Sequence, residues 1–192
     1  MVATIKIDKR QIEKLRKVMN ASPAKLVREV TTAINETQKK TLREVVKPVA
    51  SELAVAQKVI KPSIKGQRSK KKELRASVTV IKTARISLRE FKPKQNKKGV
   101  AYKISKTQGR KFIPSAFQGP KPGVIKISWR GNVFKREGKS RLPIHKKSGP
   151  SVWGVYVKSN KDQGIRKGAQ KELSRQIQRR IRFQKLKQSG AI

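Results

Sequence analysis

The feature that most restricts the fold of this chain is a run of 46 residues, 91–136, that contains no Asp or Glu. The run lies in a strongly basic region, because residues 61–192 hold 38 Lys and Arg against five acids, whereas residues 1–60 hold 13 against six. Cations at this density repel one another and attract polyanions. We therefore expect the first third to form an ordinary charge-balanced surface, and the rest to face a nucleic acid, an anionic membrane surface or an acidic protein.

The spacing of apolar residues predicts helices in the first third of the chain. Ile12, Leu15 and Val18 recur every three residues, which defines one helical face after the N-cap candidate Asp8. A second helix is expected from Ser22-Pro23, since proline is favourable at the first helical position. It should continue to about Val46, because Pro48 breaks or kinks a helix.

Two further helices are predicted. Residues 51–60 form a shorter one, with Leu53, Ala56 and Ile60 inward and Pro62 as its end. From about Lys161 the apolar residues recur every four positions as far as Ile181, which predicts a long C-terminal helix that ends near residue 187.

Between the helical regions the apolar period changes to two, which is typical of strands. Residues 74–81 and 85–91 form a predicted hairpin, with Leu74, Ala76, Val78 and Val80 on one face of its first strand. Three more strands are expected, over residues 99–104, 121–129 and 133–137. The predicted fold class is α+β: N-terminal helices, a small antiparallel sheet of about five strands with extended basic loops, and a long C-terminal helix.

Composition limits this fold to one modest core, because only 35% of the 192 residues are apolar. We expect a single domain over 1–192, with a helical part at 1–60, a sheet with basic arms at 61–160 and the C-terminal helix at 161–187. No apolar run approaches the ~20 residues of a membrane span, and the charged first twenty residues do not resemble a signal peptide.

Two segments without periodicity are predicted to be basic arms that contact nucleic acid, one over residues 61–73 and a flexible tip over residues 92–99. Lysine exceeds arginine in them and aromatic residues are scarce, which favours phosphate contact over base readout or base stacking. The candidate nucleic-acid-binding residues are Lys65, Arg68, Lys70, Lys71, Lys72, Lys92, Lys94, Lys97 and Lys98.

Two phrases combine prolines with apolar residues, "KFIPSAF" at 111–117 and "RLPIHKKSGPSV" at 141–152. Proline-restricted segments lose little entropy when they dock, so we expect a subunit interface there, although packing inside the fold explains such phrases equally well. The candidate interface residues are Phe112, Ile113, Pro114, Phe117, Leu142, Pro143, Ile144, Gly149 and Pro150.

The residue types needed for catalysis or metal binding are scarce. The chain has no Cys and one His, His145, so thiolate chemistry and the usual zinc ligand sets are excluded. Glu29, Glu36 and Glu44 lie on a predicted helix beside basic residues, which favours helical ion pairs over an acid–base pair. We expect a protein that is not an enzyme and that uses no metal or cofactor.

The chain resembles the minor tail protein Z family of lambda-like tailed phages, in the order and spacing of several phrases. These phrases are "FIPSAF" at 112–117, a strand ending near Trp129, "GNVFKREGKSRLPI" at 131–144 and "GPSV" at 149–152. The resemblance implies a single tail-completion domain in a structural virion protein of the tail and neck region, assembled in the host cytoplasm. It implies a homo-oligomeric ring, a hexamer if it matches the tail tube. The implied partners are the tail terminator or tail tube, head–tail connector proteins and phage DNA.

Two other classes share the strong positive charge. A stand-alone, sequence-nonspecific nucleic-acid-binding protein, such as a ribosomal-type RNA binder, would act as a monomer without tail proteins. A membrane-surface binder is disfavoured because no basic helix carries a broad aromatic or leucine face, so no membrane partner is expected.

Overall fold

The computed structural model describes residues 2–19, 23–119 and 131–189, and it confirms the α+β class. The strands, numbered along the chain, are β1 (Val2–Lys6), β2 (Ile64–Gln67), β3 (Arg75–Val80), β4 (Arg85–Ser87), β5 (Lys94–Asn96), β6 (Gly99–Tyr102), β7 (Lys111–Pro114), β8 (Ala116–Gln118), β9 (Val133–Arg136) and β10 (Ile144–Ser151). The helices are α1 (Lys9–Met19), α2 (Pro23–Glu52), α3 (Gln57–Ile60), α4 (Val152–Lys158) and α5 (Asp162–Gln188). Short 3-10 turns occupy Lys61–Ser63 and Leu88–Phe91.

The described residues group into two compact units. The first unit falls within residues 1–45, 64–80 and 160–192, and the second within 46–63 and 81–159. This grouping does not test the expectation of a single domain, which stays a prediction.

The first unit contains an antiparallel sheet in the order β1-β3-β2, with helices α1 and α5 and most of α2. The alternation predicted for β3 is confirmed, because Ala76, Val78 and Val80 are buried while the residues between them are more exposed. The core joins side chains from β1, β3 and the three helices; its buried members are Ile5, Leu15, Val30, Ala33, Ile34, Ala76, Ala169, Leu173 and Ile177. The C-terminal helix predicted from the four-residue apolar repeat is therefore confirmed.

Two strands of the first unit lie where the sequence did not predict strands. β1 belongs to the part expected to be helical, and β2 belongs to the part expected to be a loop. Both pair with β3 along their lengths. Apart from Ile64, the residues of β2 are exposed, so its extended form depends on backbone pairing rather than on an apolar pattern.

Helix α2 does not stop before Pro48, which corrects the predicted end at Val46. The helix continues to Glu52, and Pro48 lies inside it. Val45, Val46 and Val49 are buried around this position, so side-chain burial compensates for the backbone hydrogen bond that proline cannot donate. The shorter helix predicted after it is only α3, and Ala56 is exposed rather than inward.

The second unit contains two antiparallel sheets, in the orders β4-β10-β9-β8 and β5-β6-β7. The predicted β3–β4 hairpin is wrong, because β4 pairs with β10. Residues 92–99 are not a flexible tip, since β5 and β6 form a hairpin across them. The described strands are thus more numerous than the five expected, and they are divided among three sheets. The strand predicted over 121–129, with Trp129, lies outside the described residues.

Candidate functional site

The two units carry similar net positive charges, and the second has the fewer acids. Its sequence holds 24 Lys and Arg against three acids, a net charge of +21, whereas the first unit holds 27 against eight. Three acids can neutralise only a small part of this charge in any geometry. Both units can therefore attract a polyanion, and the second has fewer acids to offset its cations.

The basic hairpin formed by β5 and β6 presents lysines on a defined backbone. Lys94, Lys97 and Lys98 are exposed, and the turn between the strands lies at residues 97–98. The N–H of Gly99 donates to Asn96 Oδ1 at 3.0 Å, which closes the turn. Gly99 has a φ of 155°, and a Cβ there would collide with the backbone oxygen of Ile113. This explains the glycine at a place where the backbone of β7 approaches closely.

Lys92 and Arg110 are also brought together. Lys92 has a left-handed φ of 49°, and its carbonyl accepts a hydrogen bond from Arg110 Nη1 at 3.1 Å. Both side chains are exposed. Arg110 was not among the predicted nucleic-acid-binding residues, because it lies outside the two basic segments that were selected by charge density alone.

The other five predicted nucleic-acid-binding residues belong to the first unit, so the set of nine does not form one patch within either unit. Lys65 is exposed on β2, and Arg68, Lys70, Lys71 and Lys72 are exposed in the connection to β3. This connection is anchored: Ser69 N–H donates to Asn35 Oδ1 at 2.8 Å, and the backbones of residues 70 and 73 exchange hydrogen bonds of 3.1 and 3.0 Å.

The first apolar phrase, residues 111–117, is divided between two edge strands. Phe112, Ile113 and Pro114 lie on β7, Ser115 turns the chain with a φ of 58°, and Phe117 lies on β8. Phe112 is 46% exposed. Phe117 is half-buried, with its ring 6.0 Å from that of Phe134 and with the Arg136 guanidinium 5.2 Å from its centre. Packing within the unit therefore explains why residue 117 is aromatic, but it does not explain the exposed aromatic ring at Phe112.

The residues of the second apolar phrase, 141–152, also differ in how far the unit buries them. Leu142 is 67% exposed and Pro143 is exposed, while Ile144 begins β10 and is half-buried. Gly149 is buried, and a Cβ at this position would lie 2.5 Å from Phe91 Cε2, so close packing inside the unit explains this glycine. Pro150 is half-buried and lines a cavity of about 560 Å³ near Leu53 and Val155.

The acids of the first unit hold helix α5 against α2. Glu172 on α5 is nearly buried and accepts hydrogen bonds from Lys40 Nζ at 2.6 Å, from Arg175 at 2.8 Å and from Gln176 at 2.8 Å. Burial alone would raise the pKa of Glu172, but these hydrogen bonds together outweigh it and lower the pKa from 4.5 to about 2. Arg180 makes a similar link, with Glu29 and Glu36 each at 3.2 Å. For Glu29 and Glu36, which were expected to pair with basic residues of their own helix, the partner is instead Arg180 on α5.

Within the described residues, no three His, Asp or Glu side chains cluster closely enough to hold a metal ion. The exposed side chain of His145 is hydrogen-bonded to Glu137 at 2.9 Å. No helix in the part of the chain that the structure describes is both long enough and apolar enough to cross a membrane.

Comparison of the chain with family models, with curated proteins and with solved structures finds no match. The resemblance to the minor tail protein Z family therefore rests on sequence alone: the phrases at 112–117, 131–144 and 149–152 and the strand expected to end near Trp129.

Proposed function

We propose that the chain is a structural virion subunit of the tail-completion class. It assembles as a ring at the head-proximal end of a phage tail, between the tail terminator or tube and the head–tail connector. There it contacts the phosphates of the genome end without sequence readout. It performs no reaction, and its place is the neck region of the virion after assembly in the host cytoplasm.

The observation that carries this proposal is the net charge of +21 on the second unit, together with the exposed lysines of the basic hairpin. Lysines on a hairpin whose strands are paired suit sequence-independent phosphate contact, which releases counterions and needs no particular base. The exposed Leu142 and Pro143 support assembly with other subunits, because an exposed apolar side chain loses contact with water when it docks. The tail location is supported by the sequence resemblance.

Imaging of the tailed particles whose genome encodes this chain tests the proposal. Density for the chain is expected as a closed ring at the head–tail junction, and particles made without the chain should lack that ring. Particles that carry no such density at the junction would contradict the tail assignment.

A second candidate is a stand-alone, sequence-nonspecific nucleic-acid-binding protein. The observation that favours it is the exposed Phe112 in a lysine-rich unit, because aromatic side chains beside cations are typical of proteins that bind single strands. This candidate predicts tight RNA binding by the monomer. A tail-completion subunit is instead expected to oligomerise when it binds nucleic acid, and measurement of particle mass separates the two.

A further inference from the structure

The β5–β6–β7 sheet has one face turned toward its own unit and one turned outward. On the inward face Val100 is fully buried, Ile113 is half-buried, and Gln95 Oε1 accepts from the Gln118 N–H at 2.7 Å. The strand register places Lys94, Ala101 and Phe112 in one cross-strand row. Because successive side chains point to opposite faces, this row belongs to the outward face.

Phe112 forms the apolar part of this outward face. Its side chain is 46% exposed, and its Cζ would lie 2.9 Å from a Cβ built on Gly99, so the ring extends over the glycine in β6. Gly99 and Ala101 are the two residues of β6 on this face. Because both are small, no large side chain lies between Phe112 and Lys94 on this face. The central strand therefore forms a shallow depression in this face, and the Phe112 ring lies next to it.

Cations lie around the ring without covering it. Lys94 faces the same side two strands away, which is about 10 Å across the sheet, and Lys97 and Lys98 are exposed in the adjoining turn. Among the described residues no cation lies over the Phe112 ring, whereas the Phe117 ring is covered by Arg136 at 5.2 Å. The aromatic surface of Phe112 is thus not used for a cation–π contact within the described chain.

We propose that this outward face binds single-stranded nucleic acid, with a base stacked on Phe112 and the neighbouring phosphates on Lys94, Lys97 and Lys98. The charge of the unit selects a polyanion over an apolar protein surface. The exposed aromatic ring then selects a single strand, because every unpaired base offers a flat face for stacking, whereas bases in a duplex are stacked on each other. This inference goes beyond the tail-completion function, since phosphate contact alone gives no role to an exposed phenylalanine, and it assigns the stacking site on which the second candidate would also depend.

The test compares binding to three probes by Phe112→Ala, Phe112→Trp and the wild type. The probes are a short oligothymidylate, an abasic strand with the same number of phosphates and a duplex of matched phosphate count. At physiological ionic strength, Phe112→Ala is expected to weaken binding to oligothymidylate about tenfold, the usual loss for one stacked base. Binding to the abasic strand and to the duplex should stay within about twofold, because the phosphate contacts remain. Phe112→Trp should bind oligothymidylate at least as tightly as the wild type.

Phe183→Ala is the matched control, because Phe183 is 50% exposed but lies on α5 in the first unit. It should leave all three affinities unchanged. An equal loss on all probes, an equal loss in Phe183→Ala or weakened binding by Phe112→Trp would overturn the proposal. Loss of self-association with unchanged affinity for oligothymidylate would also overturn it and assign Phe112 to a subunit interface. None of these outcomes depends on the tail assignment, which particle imaging tests separately.

Discussion

At the scale of single residues, a few buried polar and glycine positions add specific constraints to the apolar core. Glu172 is one of them, because its side chain is only 9% exposed and joins α5 to Lys40 on α2. A carboxylate in this environment is stable only while its cationic and amide partners are present. The position therefore links the stability of the first unit to pH.

Glu172→Gln is expected to destabilise the folded chain by about 3 kcal/mol at neutral pH, because the pKa of Glu172 is lowered from 4.5 to about 2. The folded-state pKa lies below the unfolded one, so the stabilisation is complete above pH 4.5 and is lost as the pH falls toward 2. The wild type should therefore lose more free energy of unfolding than the variant between pH 5 and pH 2. Urea unfolding at several pH values measures the difference.

The control for this prediction is Glu90→Gln. Glu90 pairs with Arg89 at 2.8 Å, but both side chains are substantially exposed. Its replacement should change the free energy of unfolding by at most about 1 kcal/mol at any of these pH values. Equal pH dependence in the wild type and in Glu172→Gln would show that Glu172 is not the group responsible.

Gly149→Ala tests the close packing in the second unit. The added Cβ would lie 2.5 Å from Phe91 Cε2 and 3.1 Å from the Ile86 carbonyl oxygen, so we expect a loss of about 1–3 kcal/mol of stability. Gly109→Ala is the matched control, since a Cβ there meets nothing within 4 Å. Thermal unfolding of the two variants measures the difference. Equal unfolding temperatures would show that the Phe91 ring moves aside without cost.

At the scale of elements, the sequence predicts what depends on side-chain periodicity and misses what depends on backbone pairing. The helices α1, α2 and α5 and the strand β3 carry apolar residues at regular spacing, and each was predicted. β2 and β5 are largely exposed, so no pattern distinguishes them from loops. The partner of β4 is also not visible locally, because β10 is about 60 residues further along the chain.

The candidate site could also be predicted from the sequence only where its features are local. Charge density identified the lysines of the basic hairpin, since that signal is local. The juxtaposition of Phe112 with Lys94 was not predictable, because it requires the register of three strands. The sequence also gave no means to separate Phe112 from Phe117, whose ring packs against Phe134.

The basic hairpin is expected to supply a measurable share of the salt dependence of DNA binding. The triple variant Lys94→Gln, Lys97→Gln, Lys98→Gln should reduce the slope of log affinity against log salt by about 2–3 for a duplex, because each phosphate contact contributes about 0.9. Binding titrations at several salt concentrations measure the slope. The matching variant at Lys70, Lys71 and Lys72 tests the basic segment of the first unit in the same way.

The control carries the same loss of charge on α1, with Gln at Lys9, Lys14 and Lys17, which are also exposed. It should change the slope by less than about one unit, because neither basic segment is affected. If the α1 variant reduces the slope as much as the hairpin variant, binding depends on total charge and the hairpin has no special part in it.

At the scale of the whole molecule, the charge that attracts a polyanion also opposes assembly. Each copy carries +40, so a ring of six would bring together a charge of about +240. Repulsion of this size can exceed what a few exposed apolar side chains contribute. A ring is then stable only when salt screens the charge or when a polyanion neutralises it.

We therefore predict that the purified chain is monomeric at low ionic strength and that short DNA duplexes convert it to rings. Raising the salt concentration toward 1 M shortens the screening length to about 3 Å and should permit partial assembly without DNA. Mass measurements of single particles follow both transitions.

Leu142→Glu should prevent assembly under either condition, because Leu142 is 67% exposed in the proposed interface. Val157→Glu is the control and should not prevent assembly, because Val157 is 49% exposed but lies on α4. Rings at low ionic strength without DNA, or equal effects of the two variants, would contradict this account of assembly.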